Sequence, residues 1–172
     1  MGSLRIAGMA KQSIVDGAGL RFTLFTQGCP HGCPGCHNPA THDFSGGYDC
    51  SVEKILRELD SNPLLQGVTL SGGEPLCQAA GLLPLALALP VRGLDIWCYT
   101  GYTLEELLEM AVRDKPLAEL LTLIDVLVDG RYEALQRDLT LRFRGSRNQR
   151  ILDLPLSLSQ GRAVAWREPS YA

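Results

Sequence analysis

Apolar positions along this chain recur with two periods, one suited to strands and one to helices. Leu20 to Thr26 is rich in β-branched and aromatic residues and stops before Gly28, which predicts a strand running into a loop. Ser51 to Leu59 reads as a helix, with Ser51 as N-cap and Ile55, Leu56 and Leu59 on one face. Val68 to Leu70 is a short buried strand that stops at Ser71-Gly72-Gly73, and the apolar run after Leu76 is helical despite Gly81 and Pro84. Leu94 to Tyr99 predicts the next strand, ended by Thr100-Gly101. Thr103 and Glu106 have capping-box spacing for a helix carrying Leu104, Leu107, Leu108 and Ala111. Ile124 to Val128 is a strand ended by Asp129-Gly130, and two weaker strands are expected at Ile151 to Leu154 and Ala163 to Trp166.

Strands separated by helix-length segments imply an α/β fold with a mostly parallel sheet. A complete eight-unit barrel typically needs about 250 residues, and this chain has 172. An open, partial β/α barrel of about six mostly parallel strands fits better, as a single domain over residues 1–172. Function in such sheets sits at the C-terminal ends of the strands. The loop after Thr26 and the segments at Ser71, Thr100 and Asp129 all fall there.

Composition narrows the class. The chain is 45% hydrophobic and 20% charged, with a net charge of −3. This is the balance of an ordinary folded domain, and mild acidity argues against nucleic-acid binding. The most apolar stretch, Leu82 to Val91, holds Pro84 and Pro90 and is too short to span a bilayer. The N-terminus lacks the charged-then-apolar pattern of a signal peptide. A cytoplasmic protein with no membrane partner is expected. In that compartment thiols stay reduced, so cysteines are more often metal ligands or catalysts than disulfides.

Three of the six cysteines, Cys29, Cys33 and Cys36, fall within eight residues, while Cys50, Cys77 and Cys98 stand alone. The lone ones read as small core or surface residues. The segment from Gly28 to Pro39 carries three glycines and three prolines, so it cannot be helical but can wrap. Soft thiolates select zinc, copper(I) or iron–sulfur clusters. A structural zinc site would need a fourth ligand from His31 or His37, and no second cysteine pair exists. Three thiolates without an obvious fourth also suit a cubane cluster with one iron left open. His31, His37 and His42 read as loop residues, and no acid–base side chain is assigned. Arg142, Arg144, Arg147 and Arg150 crowd nine residues. As an alternating strand they give a solvated edge, and the other reading is a contact surface for a partner or for a carboxylate.

Cys-x3-Cys-x2-Cys after the first predicted strand, with Ser71-Gly72-Gly73-Glu74-Pro75 after the next, resembles the radical S-adenosylmethionine superfamily. Asp16-Gly17-Ala18-Gly19-Leu20-Arg21 and Cys36-His37-Asn38 look like the activating enzymes of glycyl-radical enzymes. The whole cysteine loop, Trp97 to Tyr102, Val126 to Gly130 and Phe143 to Arg150 look like the group acting on anaerobic ribonucleoside-triphosphate reductase.

The resemblance implies a [4Fe-4S] cluster on Cys29, Cys33 and Cys36, with S-adenosyl-L-methionine on the open iron. It implies that Gly72, Gly73 and Glu74 meet the methionine amino group, with Glu74 complementing its charge, and that Gly35, Cys36 and His37 lie near the adenine. Thr100 and Asp129 are candidate contacts of the adenosyl moiety or turn residues. The implied reaction is one-electron cleavage to methionine and a 5′-deoxyadenosyl radical that takes hydrogen from a glycine of the reductase. The electron would come from reduced flavodoxin or a similar donor. The family often has a tryptophan soon after the loop, where this chain reads Ala40-Thr41-His42-Asp43-Phe44.

Overall fold

The computed structural model describes residues 2–170. In chain order the strands are β1 (Ser3–Ser13), β2 (Arg21–Thr26), β3 (Tyr48–Ser51), β4 (Gly67–Gly72), β5 (Asp95–Tyr99), β6 (Val126–Asp129) and β7 (Arg150–Asp153). The helices are α1 (Val52–Asp60), α2 (Ala79–Ala88), α3 (Leu104–Ala111), α4 (Lys115–Leu121) and α5 (Leu154–Gln160). All seven strands form one sheet in the order β3-β1-β2-β4-β5-β6-β7.

The middle of that sheet, β2-β4-β5-β6, is parallel. Both flanks are antiparallel: β1 pairs β2 and β3, and β7 pairs β6. The expectation of about six mostly parallel strands is corrected accordingly to a seven-stranded mixed sheet with β3 and β7 at its edges. The cause is connection length. Residues 14–20 are too few for a crossover, so β1 and β2 must run antiparallel. The segment between β6 and β7 contains no α-helix to carry the chain back over the sheet. Ala163 to Trp166 is not a strand; it contributes an isolated bridge from Ala165 to Leu152. Leu154 leaves β7 and opens α5, which Asp153 caps through Leu156 N–H at 3.0 Å.

Several predicted devices are in place. Ser51 caps α1, accepting from Lys54 N–H at 3.2 Å. Thr103 and Glu106 form the reciprocal capping box of α3, at 3.2 and 2.8 Å. The apolar run after Leu76 is helical, in α2 and in the 3-10 turns at Pro75–Gln78 and Pro90–Arg92 that flank it. Pro75–Arg92 is an 18-residue stretch of mean hydropathy 1.3, long and apolar enough by composition to cross a membrane. Leu76, Ala79, Leu82, Leu85, Ala86 and Leu89 of that stretch are built into the main core, as in the buried helix of a globular domain.

Strand alternation sorts the sheet into two unlike faces. Phe22, Leu24, Val68, Leu70, Ile96, Cys98 and Leu127 join the main core with the apolar faces of all five helices. The opposite face is partly polar and equally buried: Arg21, Thr23 and Thr69 have no exposed surface. Here Arg21 donates to Thr69 Oγ1 (2.7 Å), Ala18 O (2.9 Å), Val68 O (3.0 Å) and Asp95 Oδ1 (2.6 Å). Its guanidinium also lies 5.4 Å from the Trp97 ring, which packs on Phe143 and Trp166. A buried guanidinium needs such a full set of acceptors, because desolvation without them costs several kcal/mol.

The two members of this ion pair are unequal, and that is testable by denaturant unfolding. Arg21→Ala leaves Thr69, Ala18 and Val68 without their donor and should destabilise the chain by about 3 kcal/mol or more. Asp95→Asn, at a half-exposed position, removes the charge but keeps an oxygen to accept from Arg21, and should cost about 1 kcal/mol.

Candidate functional site

Because β2, β4, β5 and β6 are parallel, their C-terminal ends lie along one edge of the sheet. Pairing of β2 with β4 places Thr26 opposite Gly72. The chain leaving Thr26 is the irregular cysteine loop; that leaving Gly72 is Gly73-Glu74. Cys29, Cys33 and Cys36 are free, partly exposed thiols, and all three line one cavity of about 410 Å³. That volume is within the about 300–1,000 Å³ of small-molecule sites. Ser71, Gly72 and Gly73 line the same cavity, with His31, His37, His42, Tyr99 and Thr100. Among the described residues no three His, Cys, Asp or Glu side chains are grouped to hold a single metal ion. The donor set is three soft thiols facing one volume, and it fits an iron–sulfur cluster.

The two glycines serve packing as well as any ligand. Gly72 has φ +95°, and a Cβ on it would stand 2.5 Å from Thr26 N. A Cβ on Gly73 would stand 2.3 Å from Gly28 O. Their absence lets Gly73 N–H reach Thr26 O and Glu74 N–H reach Gly28 O, both at 2.8 Å. Backbone thus meets backbone where the two strand ends open into the site.

Two of the expected ligand residues, Glu74 and Gly35, stand off the cavity lining. The Glu74 side chain has no exposed surface and does not line the cavity. Its carboxylate is turned into the body of the protein and accepts from Leu76 N–H, Thr100 Oγ1–H, Gly101 N–H and His31 Nε2–H. Gly35 also lies outside the lining, and a Cβ there would contact Ala134 at 3.5 Å and Tyr132 at 3.7 Å. Cys36 and His37 do line the cavity, and the His37 ring sits 4.9 Å from that of Tyr132. Phe44, in place of the usual tryptophan, lies over Gly28, where a Cβ would meet the ring at 2.3 Å.

Thr100 borders the cavity with its hydroxyl committed to Glu74. Asp129 does not border it. Buried at the end of β6, it accepts from Leu104 N–H at 2.8 Å at the start of α3 and pairs with Arg150. The arginine-rich segment is a loop followed by β7, not an alternating edge strand. Arg142 pairs outward with Glu168, Arg144 lines the cavity, and Arg150 bridges Asp129 and Glu105. Residues beyond the expected set also line the cavity: Asp16, Tyr99, Tyr132, and Asp138, Leu139, Leu141 and Phe143 of the β6–β7 segment. Phe143 has φ +63°, a left-handed conformation costly for a bulky side chain.

Local electrostatics follow from burial. Burial, then the Glu74 carboxylate and the Cys33 thiol, raise the pKa of Cys29, opposed in part by the His31 and Gly32 N–H groups. Burial first, then Glu74, pushes Cys77 up to about 11. Burial first, then Cys77 and Glu74, pushes Tyr102 up to about 12. Neither Cys77 nor Tyr102 is thereby made an acid or base near neutral pH. Removing the Asp129 partner tests the far side of the site. Arg150→Ala should cost about 2–3 kcal/mol in urea unfolding, below a fully buried pair because Arg150 is partly exposed and Leu104 N–H still serves Asp129.

The family of 4Fe-4S single cluster domains matches residues 15–152. The chain is 40% identical over 146 residues to the anaerobic ribonucleoside-triphosphate reductase-activating protein of Haemophilus influenzae, covering 80% of this chain and 90% of that one. The protein of that name from Vibrio cholerae is 42% identical over 146 residues, with the same coverage. That of Escherichia coli strain K12 is 39% identical over 144 residues, covering 79% and 90%. Among solved structures, QueE from Escherichia coli aligns with a TM-score of 0.50 at 22% identity, over 59% of this chain and 53% of that one, a likeness of fold alone. With an iron–sulfur family spanning its cysteine loop and near-full-length relatives of one name, this chain belongs to the anaerobic ribonucleoside-triphosphate reductase-activating proteins, the radical S-adenosylmethionine activases.

Proposed function

We propose that this chain activates an anaerobic ribonucleoside-triphosphate reductase by installing a glycyl radical on it. The observation that carries the reading is the convergence of Cys29, Cys33, Cys36, Gly72 and Gly73 on one cavity at the C-terminal strand edge. Cys29, Cys33 and Cys36 would hold a [4Fe-4S] cluster, which with S-adenosyl-L-methionine and an electron from reduced flavodoxin or a similar donor would supply the radical chemistry that takes hydrogen from the partner's glycine and leaves methionine and 5′-deoxyadenosine.

The chain's own residues bind, orient and exclude water. Cys29, Cys33 and Cys36 hold the cluster. The close backbone at Gly72 and Gly73 admits the methionine amino group beside carbonyl oxygens. Cys36 and His37 stand on the adenine side, with Tyr132 packed against His37. Tyr99, Leu141 and Phe143 form an apolar wall, and burial holds the Tyr99 hydroxyl protonated far above neutral pH. Val15 and Leu139 are exposed at the mouth of the cavity, which suits a protein segment as substrate better than a small polar molecule.

The test uses anaerobically reconstituted protein mixed with S-adenosyl-L-methionine, a reductant and the anaerobic reductase. A glycyl doublet in the electron paramagnetic resonance spectrum is expected, together with 5′-deoxyadenosine. Release of 5′-deoxyadenosine without the doublet would sink the assignment of partner. Replacing any one of Cys29, Cys33 and Cys36 by alanine should abolish both signals, whereas Cys50→Ser should leave the doublet in place.

A further inference from the structure

Glu74 and His31 are the least explained residues around the cavity. His31 stands between Cys29 and Cys33, yet its side chain is only 4% exposed. Its Nε2 lies 2.7 Å from Glu74 Oε2, and its ring meets Tyr102 edge-on at 4.5 Å. The Cδ2–Nε2 edge of the ring rests on Gly101, where a Cβ would stand 2.3 Å from His31 Cδ2. A carboxylate only accepts, so Nε2 carries the proton it donates.

Glu74 collects donors from three strand ends. Thr100 Oγ1–H lies 3.0 Å from both oxygens, Gly101 N–H is 2.9 Å from Oε2, and Leu76 N–H is 3.1 Å from Oε1. Thr100 and Gly101 follow β5, Glu74 and Leu76 follow β4, and His31 belongs to the loop after β2. A buried carboxylate with this many donors is satisfied and fixed in place. The loop itself is otherwise loosely held. Between Pro30 and Gly35, the His31–Glu74 bond is the only hydrogen bond to the body of the protein among the described residues.

We propose that His31 and Glu74 are positioning residues, a buried imidazole–carboxylate clamp that fixes the Cys29–Cys36 loop against β4 and β5 and so sets where the cluster sits. The inference rests on the cluster reading above. It gives Glu74 a structural partner in the cysteine loop. Outer partners that orient ligands in this way typically change metal retention by about 10–100-fold when removed.

The test is anaerobic reconstitution with iron and sulfide, then a chelator challenge followed by visible absorption, with the spectrum of the reduced cluster recorded in parallel. His31→Ala should lose its cluster about 10–100-fold faster than the unaltered chain and give shifted paramagnetic resonance lines. His31→Gln, which keeps an N–H donor, should recover most of the retention and the original lines. Gly101→Ala, whose methyl occupies the imidazole's place, should behave like His31→Ala with both clamp residues present. Thermal unfolding of the metal-free chains checks that the fold survives.

Unchanged retention and lines in His31→Ala would overturn the clamp. If that variant does not fold, unchanged retention in Gly101→Ala overturns it equally. Failure of the unaltered chain to take up any cluster would overturn the proposed function on which the clamp rests, a result no clamp variant can mimic.

Discussion

The site depends on one pairing. β2 and β4 run parallel and stay in register to their last residues, Thr26 beside Gly72. Because they end level, the cysteine loop and the Gly73-Glu74 turn leave the sheet side by side, and their backbones bond where side chains would collide. A register slip would reverse the faces of β2 and drive Arg21 into the apolar core. The buried polar set around Arg21 works against that slip, since only one register gives its guanidinium all four oxygens. The same register that hides Arg21 brings the thiols to the glycines.

The two faces of the sheet divide the labour. The helix side supplies an apolar core from every helix. The other side is closed at one end by Trp97, Phe143 and Trp166 and opens at the strand ends into the cavity. The β6–β7 segment completes this arrangement. It contributes much of the cavity wall, contacts the cysteine loop through Tyr132 and His37, and is anchored by Arg150 on Asp129. The left-handed Phe143 is the cost of aiming its ring at Trp97.

Much of this was legible from residues alone, where local chemistry decides the structure. The caps at Ser51 and Thr103, the strands ending at Thr26 and Tyr99, those expected to stop at Leu70 and Val128 and running on to Gly72 and Asp129, and the three thiols on one cavity all follow from short-range pattern. β1 and β3 escaped notice because each buries few side chains: Leu4 and Ile6 in one, Cys50 in the other. Leu139, Leu141 and Phe143 were missed because irregular backbone gives apolar residues no period to read. Glu74 is a different case. Its motif marks the turn correctly, but the direction of its carboxylate is set by Thr100, Gly101 and His31, which are distant in sequence.

The central claim is that three thiolates at the strand ends hold a cluster with one iron open to S-adenosyl-L-methionine. Mössbauer spectroscopy of chain reconstituted with ⁵⁷Fe, before and after adding S-adenosyl-L-methionine, tests it most directly. The account predicts that the parameters of a single iron site change on addition while the others stay as they were. A spectrum that S-adenosyl-L-methionine leaves unaltered at every iron, or one showing no cubane cluster at all, would contradict it.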